Sequence, residues 1–229
     1  MDELLTEAQE AERAKRWVRE NGAFLLAGIV LGLGGLFGWQ AWQDSQQETA
    51  GEASIVWQQL QAAVDGERYN EVNDTVALLQ NDYASTPYID QARLLLARMY
   101  MDRNDPDAAA AELQTLMAGG NDSYLRRLAA LRLAQIQTYR GDYDAALATL
   151  GPTETSALAG LYHELRGDAF VGLEQLDAAR SAYEQALLTD VAGVVDRSFV
   201  QIKLDDVVGS IAGGAGSAEP AAESGDAAE

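Results

Sequence analysis

Cysteine is absent from the 229 residues, and histidine occurs once, at His163. The first absence excludes disulfides, thiol catalysis and cysteine-ligated metals; the second excludes a two-histidine metal site within the chain. Basic residues are scarce. Sixteen Lys and Arg stand against 36 Asp and Glu, a formal charge of −20. Residues 1 to 20 hold six acids and four bases, so the remainder carries 30 acids against 12 bases. Such a balance lacks the basic footprint that nucleic acid requires. It also disfavours laying the bulk of the chain flat on anionic lipid. Strand-like alternation of apolar and polar residues is missing too, which points to an all-α chain.

A catalytic constellation is equally lacking. His163 sits between Tyr162 and Glu164 with no identifiable nucleophile or orienting group, so it reads as structural. Asp205-Asp206 and the acids from Glu219 to Glu229 lack the ligand spacing of a calcium loop and read as solvated. Gly119-Gly120-Asn121-Asp122 is a turn, since no Gly-Lys-Ser or Gly-Lys-Thr follows to cradle a phosphate. The expectation is a non-enzymatic chain without cofactor or metal.

What is present begins with one apolar stretch, residues 21 to 43, without a charge between Glu20 and Asp44. A helix of roughly 20 residues crosses the ~30 Å hydrocarbon core and satisfies its own backbone hydrogen bonds there. Trp39 and Trp42 lie near one end, where amphipathic rings favour the headgroup level. A cleaved signal peptide would have a shorter apolar region and a small-residue cleavage site, which Trp39-Gln40-Ala41-Trp42 does not provide. Arg13, Lys15, Arg16 and Arg19 precede the stretch, and the next basic residue after it is Arg68. Basic flanks stay on the cytoplasmic side, so the N-terminus is expected inside and the remainder outside. Gly28, Gly32 and Gly35 fall on one helical row, which reads as a helix-packing face in the membrane. Residues 1 to 20 read as a short cytoplasmic tail that sets topology, or as a partner-docking helix.

Beyond residue 44 a pattern recurs. Arg68-Tyr69-Asn70-Glu71-Val72, Asp105-Pro106-Asp107-Ala108-Ala109, Gly141-Asp142-Tyr143-Asp144-Ala145-Ala146 and Leu176-Asp177-Ala178-Ala179 each open a helix after a tight turn. With Val72, Ala109, Ala146 and Ala179 equivalent, the spacings are 37, 37 and 33. That matches the ~34-residue tetratricopeptide repeat, a pair of antiparallel helices. Gly167, Ala179 and Ala186 take the small positions of the last repeat, and Phe170 and Tyr183 the large ones. Ala134 and Ala146 are the small residues of the third. Asp142 and Asp177 are expected to cap helix starts, and Pro106 fits a first helical turn.

The repeat domain is placed at 44 to 208, closed by a helix over residues 194 to 207 that carries Val194, Val195, Phe199, Ile202 and Leu204. Residues 209 to 229 are Gly, Ala, Ser and acid, and are expected to be disordered. Stacked pairs curve, and their first helices line the concave side. On this register Gln91, Arg98, Leu131, Gln135, Glu164 and Asp168 face a partner-binding groove. A plain solvated face is the alternative.

Taken together, Arg19-Glu20-Asn21-Gly22, the Gly-rich stretch, Gly38-Trp39-Gln40-Ala41-Trp42, Leu165-Arg166-Gly167-Asp168-Ala169, Ala179-Arg180-Ser181-Ala182-Tyr183 and Gln201-Ile202-Lys203-Leu204-Asp205 resemble YfgM proteins. The resemblance implies a bacterial inner-membrane protein with a periplasmic repeat domain. It implies association with the SecYEG translocon and a PpiD-like periplasmic chaperone, and a role in passing exported polypeptides to chaperones. A structural adaptor for envelope assembly or cell division, using the same surface, is the competing expectation.

Overall fold

A computed structural model describes residues 2–151, 157–190 and 193–216. These residues form helices and connecting turns, with no strand among them. The chain divides after Ile55 into two units. Helix α1 (Asp2–Asp65) runs through the dividing point. It is followed by α2 (Tyr69–Asp82), α3 (Tyr88–Asp102), α4 (Pro106–Gly119), α5 (Ser123–Arg140), α6 (Tyr143–Leu150), α7 (Ala159–Gly172), α8 (Leu176–Thr189) and α9 (Arg197–Gly216).

In the first unit the apolar stretch lies within α1. Phe24, Leu26, Ile29, Val30, Leu31, Leu36, Phe37, Trp39 and Trp42 are all exposed. A Cβ added at Gly28, Gly32 or Gly35 would meet open space. No single helix among the described residues is long and apolar enough to cross a membrane. Two arms of α1, Glu10–Phe24 and Leu26–Asp65, meet at 48° and together satisfy that requirement by length and composition. The expected span from Asn21 is therefore divided by a bend.

In the second unit the last turns of α1 begin a series of helix pairs: α1 with α2, α3 with α4, α5 with α6, α7 with α8. Val72, Ala109, Ala146 and Ala179 occupy the same place in the second helix of each pair, and all are buried. Each donates its N–H to the carbonyl of the residue before its helix, at Arg68, Asp105, Asp142 and Gln175. Twelve residues earlier stand Leu60, Ala97, Ala134 and Gly167, buried on the first helices. At Gly167 a Cβ would overlap the Tyr183 ring, so the close approach of α7 and α8 depends on glycine. A second such approach joins pairs rather than closing one, with Gly172 beneath the ring of Tyr143.

The turn inside each pair has one construction. Glu67, Asn104, Gly141 and Glu174 all have positive φ, between 54° and 82°. Each donates to the carbonyl three residues back, and the following residue donates five residues back, as in Glu67→Val64 with Arg68→Ala63. This is the Schellman arrangement, which satisfies the last carbonyls of the first helix. Glycine fills it only at Gly141; elsewhere a side chain bears the left-handed conformation.

Side-chain capping differs from expectation. Asp142 precedes α6 without a side-chain cap bond, and Asp177 lies inside the first turn of α8, where its charge favours the helix dipole instead. The capping carboxylates are Asp105, which accepts from Ala108 N–H, Asp122, which accepts from Tyr124 and Leu125, and Asp196, which accepts from Phe199 N–H at the start of α9. Pro106 takes the first position of α4 as expected.

Pairs are joined by polar bonds as well as apolar packing. Asp122 N–H donates to the buried Asp90 carboxylate, Asn121 donates to the Ala84 carbonyl, and Tyr162 O–H donates to the Arg127 carbonyl. Helix α9 closes the series. It buries Val200 and Val207, with Val195 just before it, against α8, while Val194, Phe199 and Ile202 stay exposed. It continues past Gly209 to Gly216, so the compositional boundary at 209 does not end regular structure. Residues 217 to 229 of the expected disordered tail lie outside the described residues.

Two substitutions test this construction. Gly167→Ala should lower unfolding stability by about 2 kcal/mol or more through overpacking against Tyr183. Glu174→Gly should raise it by about 1 kcal/mol by relieving the left-handed turn. Chemical denaturation of the full chain followed by helical circular dichroism reads both.

Candidate functional site

The inner face of the series is set by the first helices, α3, α5 and α7. Ala97, Ala134 and Gly167 point toward their own partners, so the next residues, Arg98, Gln135 and Asp168, share one register beside them. Between α3 and α5 this leaves an open groove of about 580 Å³. Leu94, Met101, Leu128 and Tyr139 supply its apolar surface, with Leu113 and Ile136 beneath. Arg98 and Arg132 are the charged residues in its lining, and Gln135 is a further polar one. Tyr139 is 80% exposed and Met101 37%, so the apolar wall is not covered by the chain's own described residues.

Of the six residues expected to line a continuous groove, Arg98 and Gln135 meet here. Gln91 is half-buried on α3 outside this lining. Leu131 does not face the groove: it is 2% exposed, in the core shared by α5, α6 and α7. A leucine in a register position that can turn inward is drawn there by apolar burial. Glu164 and Asp168 are taken up by the closing helix. Lys203 Nζ on α9 donates to Glu164 Oε1 at 2.9 Å and to Asp168 Oδ1 and Oδ2 at 2.8 and 2.9 Å. Tyr183 O–H donates to the same Asp168 carboxylate at 2.7 Å, and the Phe199 ring lies 4.7 Å from Nζ.

The electrostatics of this cluster favour its charged lysine. Burial pushes the Lys203 ammonium down, but its bonds to Asp168 and Glu164 outweigh that and hold its pKa above the usual lysine range. Burial, then the bond to Asp168, pushes the Tyr183 phenol up as well. Both keep their protons more strongly folded than unfolded. The cluster therefore contributes fully below the ordinary lysine value of 10.5 and loses its contribution as pH rises through the raised folded value.

His163, on α7, is held below its usual pKa by burial and then by Arg166, which favours its neutral form. Among the described residues no group of three or more His, Asp or Glu could hold a metal ion. The groove's other lining residues, Arg132 among them, were missed by the sequence reading; two of them, Leu94 and Tyr139, carried a signal in the sequence, lying one helical turn from Ala97 and Gln135.

The family described as a tetratricopeptide repeat-like domain matches residues 15–209, taking in both the apolar stretch and the helix pairs. A protein of Escherichia coli (strain K12) named ancillary SecYEG translocon subunit is 32% identical over 204 residues, 88% of this chain and 96% of that one. Relatives of the same name in Haemophilus influenzae and Neisseria gonorrhoeae are 31% and 29% identical, covering 89% and 98% of their own lengths. No solved structure matches the chain closely enough to compare.

Replacing Lys203 by Met should cost about 2 kcal/mol, because it strands two half-buried carboxylates side by side. Stability of the parent should stay level from neutral pH toward 10 and then fall, and Lys203→Met should flatten that alkaline fall. Urea midpoints across pH measure both effects.

Proposed function

The chain belongs to the tetratricopeptide repeat-like family and to the family of ancillary SecYEG translocon subunits, and from that premise we propose that it is a non-enzymatic scaffold anchored beside the translocon. The observation that carries the proposal is the extent of the match. Identity near one third runs over almost the whole of relatives bearing that name, so the match takes in the apolar stretch together with the repeats.

The anchor is residues 21 to 43, with the N-terminal tail cytoplasmic and the repeat domain on the periplasmic side of the inner membrane. Its arm from Leu26 to Gln43 is 18 residues, roughly 27 Å at the helical rise, close to the hydrocarbon thickness. Apolar side chains are exposed all around that arm, a surface that water penalises and lipid accepts. Gly28, Gly32 and Gly35 present a strip without side chains, on which a neighbouring membrane helix can pack closely. Beyond the membrane the groove between α3 and α5 docks a PpiD-like chaperone or an exported polypeptide. No group transfer is needed. Holding a chaperone and an emerging chain near one exit raises the effective concentration of each for the other.

A photoreactive residue at Gly32 should capture a translocon subunit in intact membranes, and one at Tyr139 should capture a chaperone or exported chain. Capture of neither removes the proposal. Protease added to spheroplasts should digest the repeat domain while sparing the N-terminal tail; a protected repeat domain would reverse the orientation.

A further inference from the structure

The groove between α3 and α5 carries a charge opposite to the rest of the molecule. The chain has 20 more acids than bases, yet the charged side chains of this lining are Arg98 and Arg132. Neither is firmly held by its own chain. Arg98 Nε lies 3.8 Å from Asp102 with both side chains more than two thirds exposed, a pair worth little in water. Arg132 donates to the neutral Gln135 amide at 3.0 Å, which leaves its charge uncompensated there.

The same register position shows why this charge is left over. At the last pair it is Asp168, and Lys203 of the closing helix neutralises it together with Glu164. At the middle pairs it is Arg98 and Gln135, and no helix of the described chain lies over them. Glu164 and Asp168 are consumed inside the fold, while Arg98 and Arg132 remain available. Around them the surface is apolar and adaptable: Leu94, Leu128, the flexible thioether of Met101 and the largely exposed ring of Tyr139. A volume of about 580 Å³ accepts side chains from one segment rather than a folded surface.

We propose that this groove receives an amphipathic helix whose aliphatic side chains fill the space between α3 and α5 and whose carboxylates pair with Arg98 and Arg132. The assignment rests on the docking role proposed for the repeat domain and specifies the chemistry of what docks. Guanidinium suits it better than ammonium would, because its planar fork can take a carboxylate by two bonds while its face stays against apolar neighbours. The acidic remainder of the domain repels the same helix elsewhere, which confines it to the groove.

The test uses the full chain in detergent and a labelled peptide of about four helical turns, with leucines along one face and glutamates flanking them. A matched peptide carries lysine for each glutamate, and a third scrambles the order. Fluorescence anisotropy should show binding of the acidic peptide, weakened by added salt. The double substitution Arg98→Glu and Arg132→Glu should weaken it about tenfold and strengthen the lysine peptide. Both residues are exposed, and circular dichroism checks that the variant folds. Equal binding of the acidic and lysine peptides, or of the scrambled one, would overturn the assignment. So would self-association of the chain that the double variant abolishes while no peptide binds, since that places a second copy in the groove. Crosslinking of the parent to translocon subunits that persists without any peptide binding would remove this assignment alone; loss of both would remove the scaffold reading as well.

Discussion

Each pair of helices in the repeat domain is shut at one point, where a buried residue of the first helix lies against a buried residue of the second. Leu60 with Val72, Ala97 with Ala109 and Ala134 with Ala146 share core clusters, and Gly167 lies under Tyr183 opposite Ala179. In the last three pairs small residues at that point set the distance between axes, and the distance decides which faces remain for the next pair. A single pair leaves most of its apolar surface bare, so each must be covered by its neighbour. Core clusters accordingly cross the boundaries: Ala97 and Ala109 share one with Ala129 and Leu133 of the following pair. The groove between α3 and α5 is a by-product of that spacing. It is the part of the inner face that the stacking of first helices does not close.

The register was readable because close packing restricts residue size at a fixed interval, and that leaves a trace of Ala and Gly even in one sequence. The turns were less readable. Their left-handed residue is glycine only at Gly141, whereas Glu67 and Glu174 give no local sign that the backbone turns there. Asp142 and Asp177 misled for a related reason. An aspartate near a helix start can cap the backbone or simply lie in the first turn, and spacing alone does not distinguish these geometries. The groove was harder still. Leu131 shares a turn with Gln135 but was free to rotate into the core. Glu164 and Asp168 were claimed by Lys203, 39 and 35 residues further on. A contact over that separation leaves no periodic signal. The apolar stretch is the opposite case: it is a matter of composition over a window, and composition is what a sequence displays directly, though not the bend that divides it.

Charge is organised on the same plan. The chain is strongly acidic, and its scarce bases are placed where they act. Four lie before residue 21, ahead of the apolar stretch, and Lys203 fastens the closing helix. Others tie neighbouring helices: Arg93 of α3 bonds Glu112 of its own partner α4 at 3.0 Å, and Arg140 of α5 bonds Asp107 of the preceding pair at 2.7 Å. Against that background two exposed guanidiniums stand out in the lining of the groove, Arg98 only loosely paired with Asp102 and Arg132 bonded to a neutral amide.

Weak docking and membrane anchoring belong together physically. A shallow groove of about 580 Å³ with two exposed arginines cannot supply the buried aromatic or fully desolvated contacts that produce slow release. In free solution such a surface would be occupied rarely. In the proposed arrangement, with the domain held at a membrane beside its partners, the same surface would face an effective concentration in the millimolar range, where micromolar affinity suffices for high occupancy. Tighter binding would lengthen residence, since affinity differences reside mainly in the off-rate, and would delay transfer of the bound segment. A scaffold that must let go is therefore better served by a small adaptable groove on a fixed anchor than by a deep pocket on a soluble domain.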